Sequence, residues 1–149
     1  MITLLDIYPN GRPRPAALAF LFRLLAERPA EANISHREMP SRARHERFVR
    51  SHPYRDWFIV EDPGIEDRRQ RWVGSVYLTH LNEIGVAILQ KHQGKGYGAA
   101  AVGNLMVECK PSKIVNGGRF LANVAPGNDP SRRLFERLGG RIIQVTYEL

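Results

Sequence analysis

Apolar positions mark the elements of this chain before any residue chemistry does. Between residues 15 and 27 they fall at Ala17, Leu18, Leu21, Leu24 and Leu25, the spacing of a helix that buries one side. Phe20 and Phe22 broaden that face, and Arg28-Pro29 ends it, because proline cannot continue a helix and restricts the residue before it. Ahead of it, the apolar run 1–8 reads as a first strand, closed by the turn residues Pro9-Asn10-Gly11. Residues 33–39 show no clear period. Pro40-Ser41 opens a second helix over 42–51, with Ser41 as its N-cap. That helix is basic, carries His45, Phe48 and Val49, and stops at His52-Pro53-Tyr54.

Strand patterns follow. Residues 57–61 and 72–79 are apolar or alternating, and a polar loop with Pro63-Gly64 joins them. His80-Leu81-Asn82 is a turn into a third apolar run, 83–89. Short polar links between successive strands predict an antiparallel meander. A helix of small residues then runs to about Cys109 or Lys110, before Pro111. Residues 120–124 read as a fifth strand, parallel to 83–89 because a helical crossover separates the two. Asp129 is the expected cap of a last helix, with Pro130 in its first turn and Gly139 as its stop. Residues 141–149 alternate and predict a final strand. The pattern gives an α/β chain of the α+β kind: a mixed, mostly antiparallel sheet with about four helices, in a single domain 1–149.

The chemistry gathers where strand 83–89 meets its helix. Residues 93–98 read Gln-Gly-Lys-Gly-Tyr-Gly. The first turn of a helix has N–H groups without intrahelical partners, and the macrodipole adds positive potential there. Glycines let such backbone approach a phosphate closely, and Lys95 adds a charge. A phosphorylated ligand, a pyrophosphate in particular, fits this segment. It is not a P-loop, since no Gly-Lys pair is followed by Ser or Thr. It is not the dinucleotide fingerprint either, since its glycines stand at every second position.

Gln93, Gly96 and Gly98 form Gln-x-x-Gly-x-Gly, which resembles motif A of the GNAT (Gcn5-related N-acetyltransferase) family. A second stretch is similar to that family's C-terminal pattern Asn-x-x-Ser-x-x-Leu-Tyr-x-x-x-Gly: Asn128, Ser131, Leu134 and Gly139 match in order and spacing. The resemblance covers about the last two-thirds of the chain. It implies a GNAT-like sheet with splayed central strands and an N-acetyltransferase that uses acetyl-CoA as co-substrate. Gln93, Gly94, Lys95, Gly96, Tyr97 and Gly98 would hold the pyrophosphate. Ile88 or Leu89 would offer a backbone N–H to the thioester carbonyl, and Asn128 would contact the pantetheine arm or orient the leaving end. The family's usual general acid is the Tyr of the Leu-Tyr pair, but here that position is Phe135, which would still lie on the cofactor and has no proton to give. Water, Ser131, Tyr97, Tyr77 or Tyr147 would replace it, or the thiolate leaves unprotonated, or the protein binds acetyl-CoA and catalyses poorly. Glu83 is the expected base, with His80 and His36 as alternatives. The acceptor pocket is expected beside the basic helix, with His36, Arg37, Tyr54 and Trp57 as its contacts.

Composition adds limits. The chain has 149 residues, 43% hydrophobic and 25% charged, enough for a core without staples. Its one cysteine, Cys109, excludes an intrachain disulfide. With no signal-peptide pattern and no apolar run of membrane-spanning length, the expected location is cytoplasmic. The five histidines lack metal-ligand spacing, so no metal is expected. A net charge of +7 fits an anionic cofactor or acceptor as well as nucleic acid. The arginines are spread along the chain rather than stacked with aromatics, which disfavours nucleic acid. The expected acceptor is a primary amine on a small molecule, an anionic one such as a nucleotide-linked amino sugar, or on a protein. The competing readings are a non-catalytic acetyl-CoA-binding or nucleic-acid-associated module of the same fold and, on charge alone, a modifier of nucleic-acid bases. A homodimer through the terminal strand is a further expectation.

Overall fold

The computed structural model describes residues 1–29, 32 and 38–149. Its elements follow the predicted order: β1 Thr3–Asp6, α1 Pro15–Ala26, α2 Arg42–Arg50, β2 Asp56–Glu61, β3 Trp72–Leu78, β4 Ile84–Ile88, α3 Tyr97–Glu108 and α4 Asp129–Arg137. The sheet runs β1-β2-β3-β4, with every neighbouring pair antiparallel. Proline at the start of α1 costs that helix nothing, because the first turn has N–H groups to spare. Ser41 caps α2, its hydroxyl accepting from the amide of Arg44 at 3.2 Å.

Strand alternation sends side chains to two apolar layers. On one face Val60, Val76, Leu78 and Ile84 pack with Ala101, Val102 and Leu105 of α3. On the other, Trp57 and Ile59 pack with Ala17, Leu18 and Leu21 of α1 and Val49 of α2. Each fully buried Leu, Ile or Val contributes about 1.5–3 kcal/mol, so these two layers fix the sheet between α3 and the α1–α2 pair.

Three expectations change. The fifth strand reduces to one parallel bridge between Glu83 and Leu121. Its amide bonds tie Ile84 N to Leu121 O at 2.7 Å and Leu121 N to Asn82 O at 2.9 Å. The direction of pairing is as predicted, but the chain then leaves the sheet. Residues 141–149 form no strand. Ile142, Val145 and Tyr147 are exposed at 70%, 67% and 83%, so the alternation meets no edge within the described residues. The cap of α4 is Asn128, one residue before Asp129, its side chain accepting from the amide of Ser131 at 3.3 Å.

Behind the bridge sits Asn82. It is fully buried and left-handed, with φ +63°. Its Nδ2 donates to the carbonyls of Ser112 and Val115, both at 2.9 Å, and its Oδ1 accepts from the amide of Ser112 at 2.7 Å. Asparagine tolerates left-handed backbone better than most residues. One side chain therefore holds the α3–α4 connection against the entry to β4.

Candidate functional site

The glycine loop lies between β4 and α3. Gly94 and Gly96 are left-handed, φ +74° and +85°, and a Cβ at either would meet nothing within 4 Å. Their requirement is conformational, and the space beside them is open. Among the described residues, the amides of residues 94–99 have no hydrogen-bond acceptor, and the first helical bond here is from Ala100 to Gly96 O at 3.1 Å. A run of unpaired N–H groups at a helix start, with the exposed Lys95 beside it, is the kind of backbone that can cradle an anion. The Gln93 side chain donates to Ile88 O at 3.0 Å, which ties the loop to the end of β4. Gly98 serves packing: a Cβ there would lie 2.7 Å from Leu134 Cδ1 of α4.

β4 uses one edge and leaves the other open. Thr79 N bonds to Glu83 O and Leu89 N to Val73 O, both at 2.9 Å. Antiparallel alternation therefore directs the peptide groups of Glu83, Gly85, Ala87 and Leu89 to β3, and those of Ile84, Val86 and Ile88 away from it. Ile84 meets Leu121; past that bridge, among the described residues, the edge has no strand beside it. Of the two expected carbonyl donors, Leu89 is already bonded to Val73 O, and Ile88 faces the open side.

Glu83 stands at the entry to β4. One carboxylate oxygen accepts from the Asn123 side chain, the other from the Thr79 hydroxyl at 3.4 Å. Its orientation is thus set by two polar side chains. Ser131 lies in the first turn of α4. Phe135 packs with Leu134 against the α3 core layer and presents no polar group. Asn128 spends its oxygen on the cap.

Of the other proton donors, Tyr97 is engaged: its hydroxyl donates to Asp62 at 2.5 Å. That bond raises the Tyr97 pKa and, with the Gly64 amide, lowers that of Asp62. Tyr147 points into solvent, 83% exposed. Tyr77 stacks on Tyr54 with centroids 3.8 Å apart and planes 3° apart, over the bare Gly85. Burial, then the Tyr77 neighbour, pushes the Tyr54 pKa up.

On the acceptor side, His36 and Arg37 lie outside the described residues. Trp57 is 6% exposed and its indole N–H donates to Ser75 Oγ at 2.7 Å. It is a core residue packed against Tyr54 and Tyr77. Tyr8 donates to Val49 O at 2.6 Å, and burial with the Asp6 charge raises its pKa to about 12. His52 stacks on Tyr8 at 3.9 Å. His45 and His92 are buried with unpartnered ring nitrogens, and burial lowers both pKa values. Among the described residues no group of three His, Cys, Asp or Glu could hold a metal ion, and no helix is long and apolar enough to cross a membrane.

Sequence reasoning missed Asp62, Thr79, Asn82 and Asn123 as parts of this region. Thr79 and Asn82 had a local signal, the turn into β4; Asp62 and Asn123 act across long sequence separations.

Comparison with known proteins agrees with this fold. A domain from Methanocaldococcus jannaschii superposes with TM-score 0.75 at 22% identity, over 99% of this chain and 93% of that one. Spermidine N-acetyltransferase from Vibrio cholerae, in complex with CoA and spermine, gives 0.68 at 21% identity, over 93% and 79%. A dodecameric structure of the Vibrio cholerae enzyme gives 0.62 at 21%, over 93% and 78%. No curated protein sequence matches the chain. The family model described as Acetyltransferase (GNAT) domain matches residues 12–141, and with this sheet and this loop the chain belongs to the GNAT family of N-acetyltransferases.

Proposed function

We propose that this acetyltransferase binds acetyl-CoA along the open edge of β4, with its pyrophosphate on the amides of residues 94–99, and passes the acetyl group directly to a primary amine. The run of unpaired amides in the glycine loop carries the reading. Gln93, Gly94, Lys95, Gly96, Tyr97 and Gly98 form the phosphate end through backbone and charge. Gly98 also lets α4 close on the loop, which brings Asn128, Ser131 and Phe135 near the arm. Acetyl-CoA supplies an activated acetyl thioester. The Ile88 N–H polarises its carbonyl, and Glu83, oriented by Thr79 and Asn123, takes the proton of the amine, directly or through water. Ser131 is the proposed proton donor to the leaving sulfur, since Phe135 has none and Tyr97 is engaged by Asp62.

The acceptor proposed is an amine that carries negative charge, such as a nucleotide-linked amino sugar. The support is α2, where Arg44, Arg47 and Arg50 are exposed and Arg42 pairs with Glu46 at 3.3 Å. The Vibrio cholerae neighbour acts on spermidine, a cation that such a surface would repel. His36, Arg37 and Tyr54 are the proposed acceptor contacts. Spermidine turning over faster than every anionic amine in a panel would refute the charge argument. Phe135 favours a second reading, a module that binds acetyl-CoA without consuming it; thiol release with the same panel separates the two.

The cofactor test is a thermal melt with about 1 mM acetyl-CoA. Micromolar binding stabilises the fold by about 4 kcal/mol, roughly 8–16 °C for a chain of this size. No shift, with acetyl-CoA or free CoA, would remove the reading. Gly96→Val should abolish the shift, because φ +85° is closed to a β-branched residue.

A further inference from the structure

The glycine loop has no side-chain contacts at its two left-handed positions, so its attitude is set by what flanks them. On the strand side the anchor is the Gln93 side chain on Ile88 O. On the helix side it is Tyr97, the first residue of α3, whose amide belongs to the unpaired run. The Tyr97 ring turns away from the amides and reaches the β2–β3 loop, where its hydroxyl bonds Asp62 Oδ2 at 2.5 Å. Asp62 is built for this. Its Oδ1 accepts from Gly64 N at 2.8 Å, its amide donates to Arg71 O at 2.8 Å and its carbonyl accepts from Ile65 N at 3.3 Å. Lys91 reaches the same loop, donating to Gln70 at 2.9 Å, and His92 meets the Tyr97 ring edge-on, centroids 5.9 Å apart.

A carboxylate so near an anion cradle works against binding by its charge. Its use lies elsewhere, and among the described residues the one side chain that bonds it is Tyr97. We propose that Asp62 and Tyr97 are positioning residues for the cofactor: their hydrogen bond fixes the first turn of α3, and so the direction in which the amides of residues 94–99 meet a pyrophosphate. The proposal rests on the reading of this loop as the acetyl-CoA site. Fixing the amides before the ligand arrives removes an ordering cost from binding.

The test is calorimetric titration of acetyl-CoA into the wild type, Tyr97→Phe, Asp62→Ala and the double variant, with melts of each protein alone. Without this bond the ligand must order the first turn of α3 itself, a cost that reads as about tenfold in affinity. Tyr97→Phe, which loses the bond and keeps the charge, should bind about tenfold more weakly; Asp62→Ala loses the bond together with the opposing charge and should bind no more weakly than Tyr97→Phe, and the double variant should match Asp62→Ala, because one bond is lost in all three. Asp62→Asn keeps one acceptor oxygen without the charge and should bind at least as tightly as Asp62→Ala; it also serves if Asp62→Ala fails to fold. Wild-type affinity in Tyr97→Phe, whatever its melting temperature, would overturn the proposal and leave the bond a purely stabilising one. Losses that multiply in the double variant would overturn it too. Failure of the wild type to bind acetyl-CoA at all is a different result: it refutes the cofactor reading itself, before any variant is compared.

Discussion

Asn82→Ala should be among the most damaging single changes in this protein. The substitution removes the donors to Ser112 O and Val115 O and the acceptor for Ser112 N. A buried polar group left unpaired costs about 1–3 kcal/mol; Ser112 and Val115 are half-buried, so the low end, about 1 kcal/mol each, applies. Alanine at φ +63° adds about 1–2 kcal/mol of left-handed strain. The sum is about 4–5 kcal/mol, and at 2–4 °C per kcal/mol the melting temperature should fall by roughly 8–20 °C. Asn82→Gly makes the same bonds impossible but relieves the strain, so it should melt higher than the alanine variant by a few degrees. Calorimetric melts of the three proteins suffice. An alanine variant within about 3 °C of the wild type, or a glycine variant less stable than alanine, would refute the account of Asn82 as a buried tie.

Other consequences are open to direct test. Gly85→Ala would place a Cβ 2.0 Å from the Tyr77 ring, which Tyr54 holds from the other side; overpacking of this kind costs about 1–3 kcal/mol, and the cost should shrink in a Tyr77→Ala background. His45 and His92 have pKa values lowered by burial, so the unfolded chain binds their protons first as pH falls. Their contribution is fully present above the ordinary imidazole value of 6.5 and is lost as pH falls below it through the lowered values; melts should be level from pH 8 to 7 and decline toward pH 5. An equal decline in a His45→Phe, His92→Phe double variant would contradict this. Glu83→Gln should cut turnover by about 10²–10⁴-fold with acetyl-CoA affinity unchanged, read by steady-state kinetics beside a binding titration.

The helices and the meander were legible because one rule of periodicity governs each. α1 and α2 lie where the apolar stripe and the stop at Pro29 and the cap at Ser41 put them, and the glycine loop was legible because left-handed turns demand glycine. What failed was pairing. Residues 120–124 have strand composition, but they make only one bridge, Leu121 with Glu83, before the chain departs. Residues 141–149 alternate as a strand does, yet a strand needs a partner edge, which alternation cannot supply. Which face of β2 Trp57 takes depends on the register with β3, where Ser75 receives its N–H. Asp62 and Tyr97 lie too far apart in the chain for any local rule to join them.

The open edge of β4 carries one more implication. The groups on offer are the peptide groups of Val86 and the Ile88 N–H, backbone that is identical in every residue but proline. A partner gripped this way places no demand on side-chain identity there, so the sequence is free to drift wherever the apolar layer beneath tolerates it. The most intimate contact in the protein would then leave the faintest trace in its letters. Alanine scanning would pass over it in silence, and a proline at Ile88, deleting one N–H, would be the substitution that speaks.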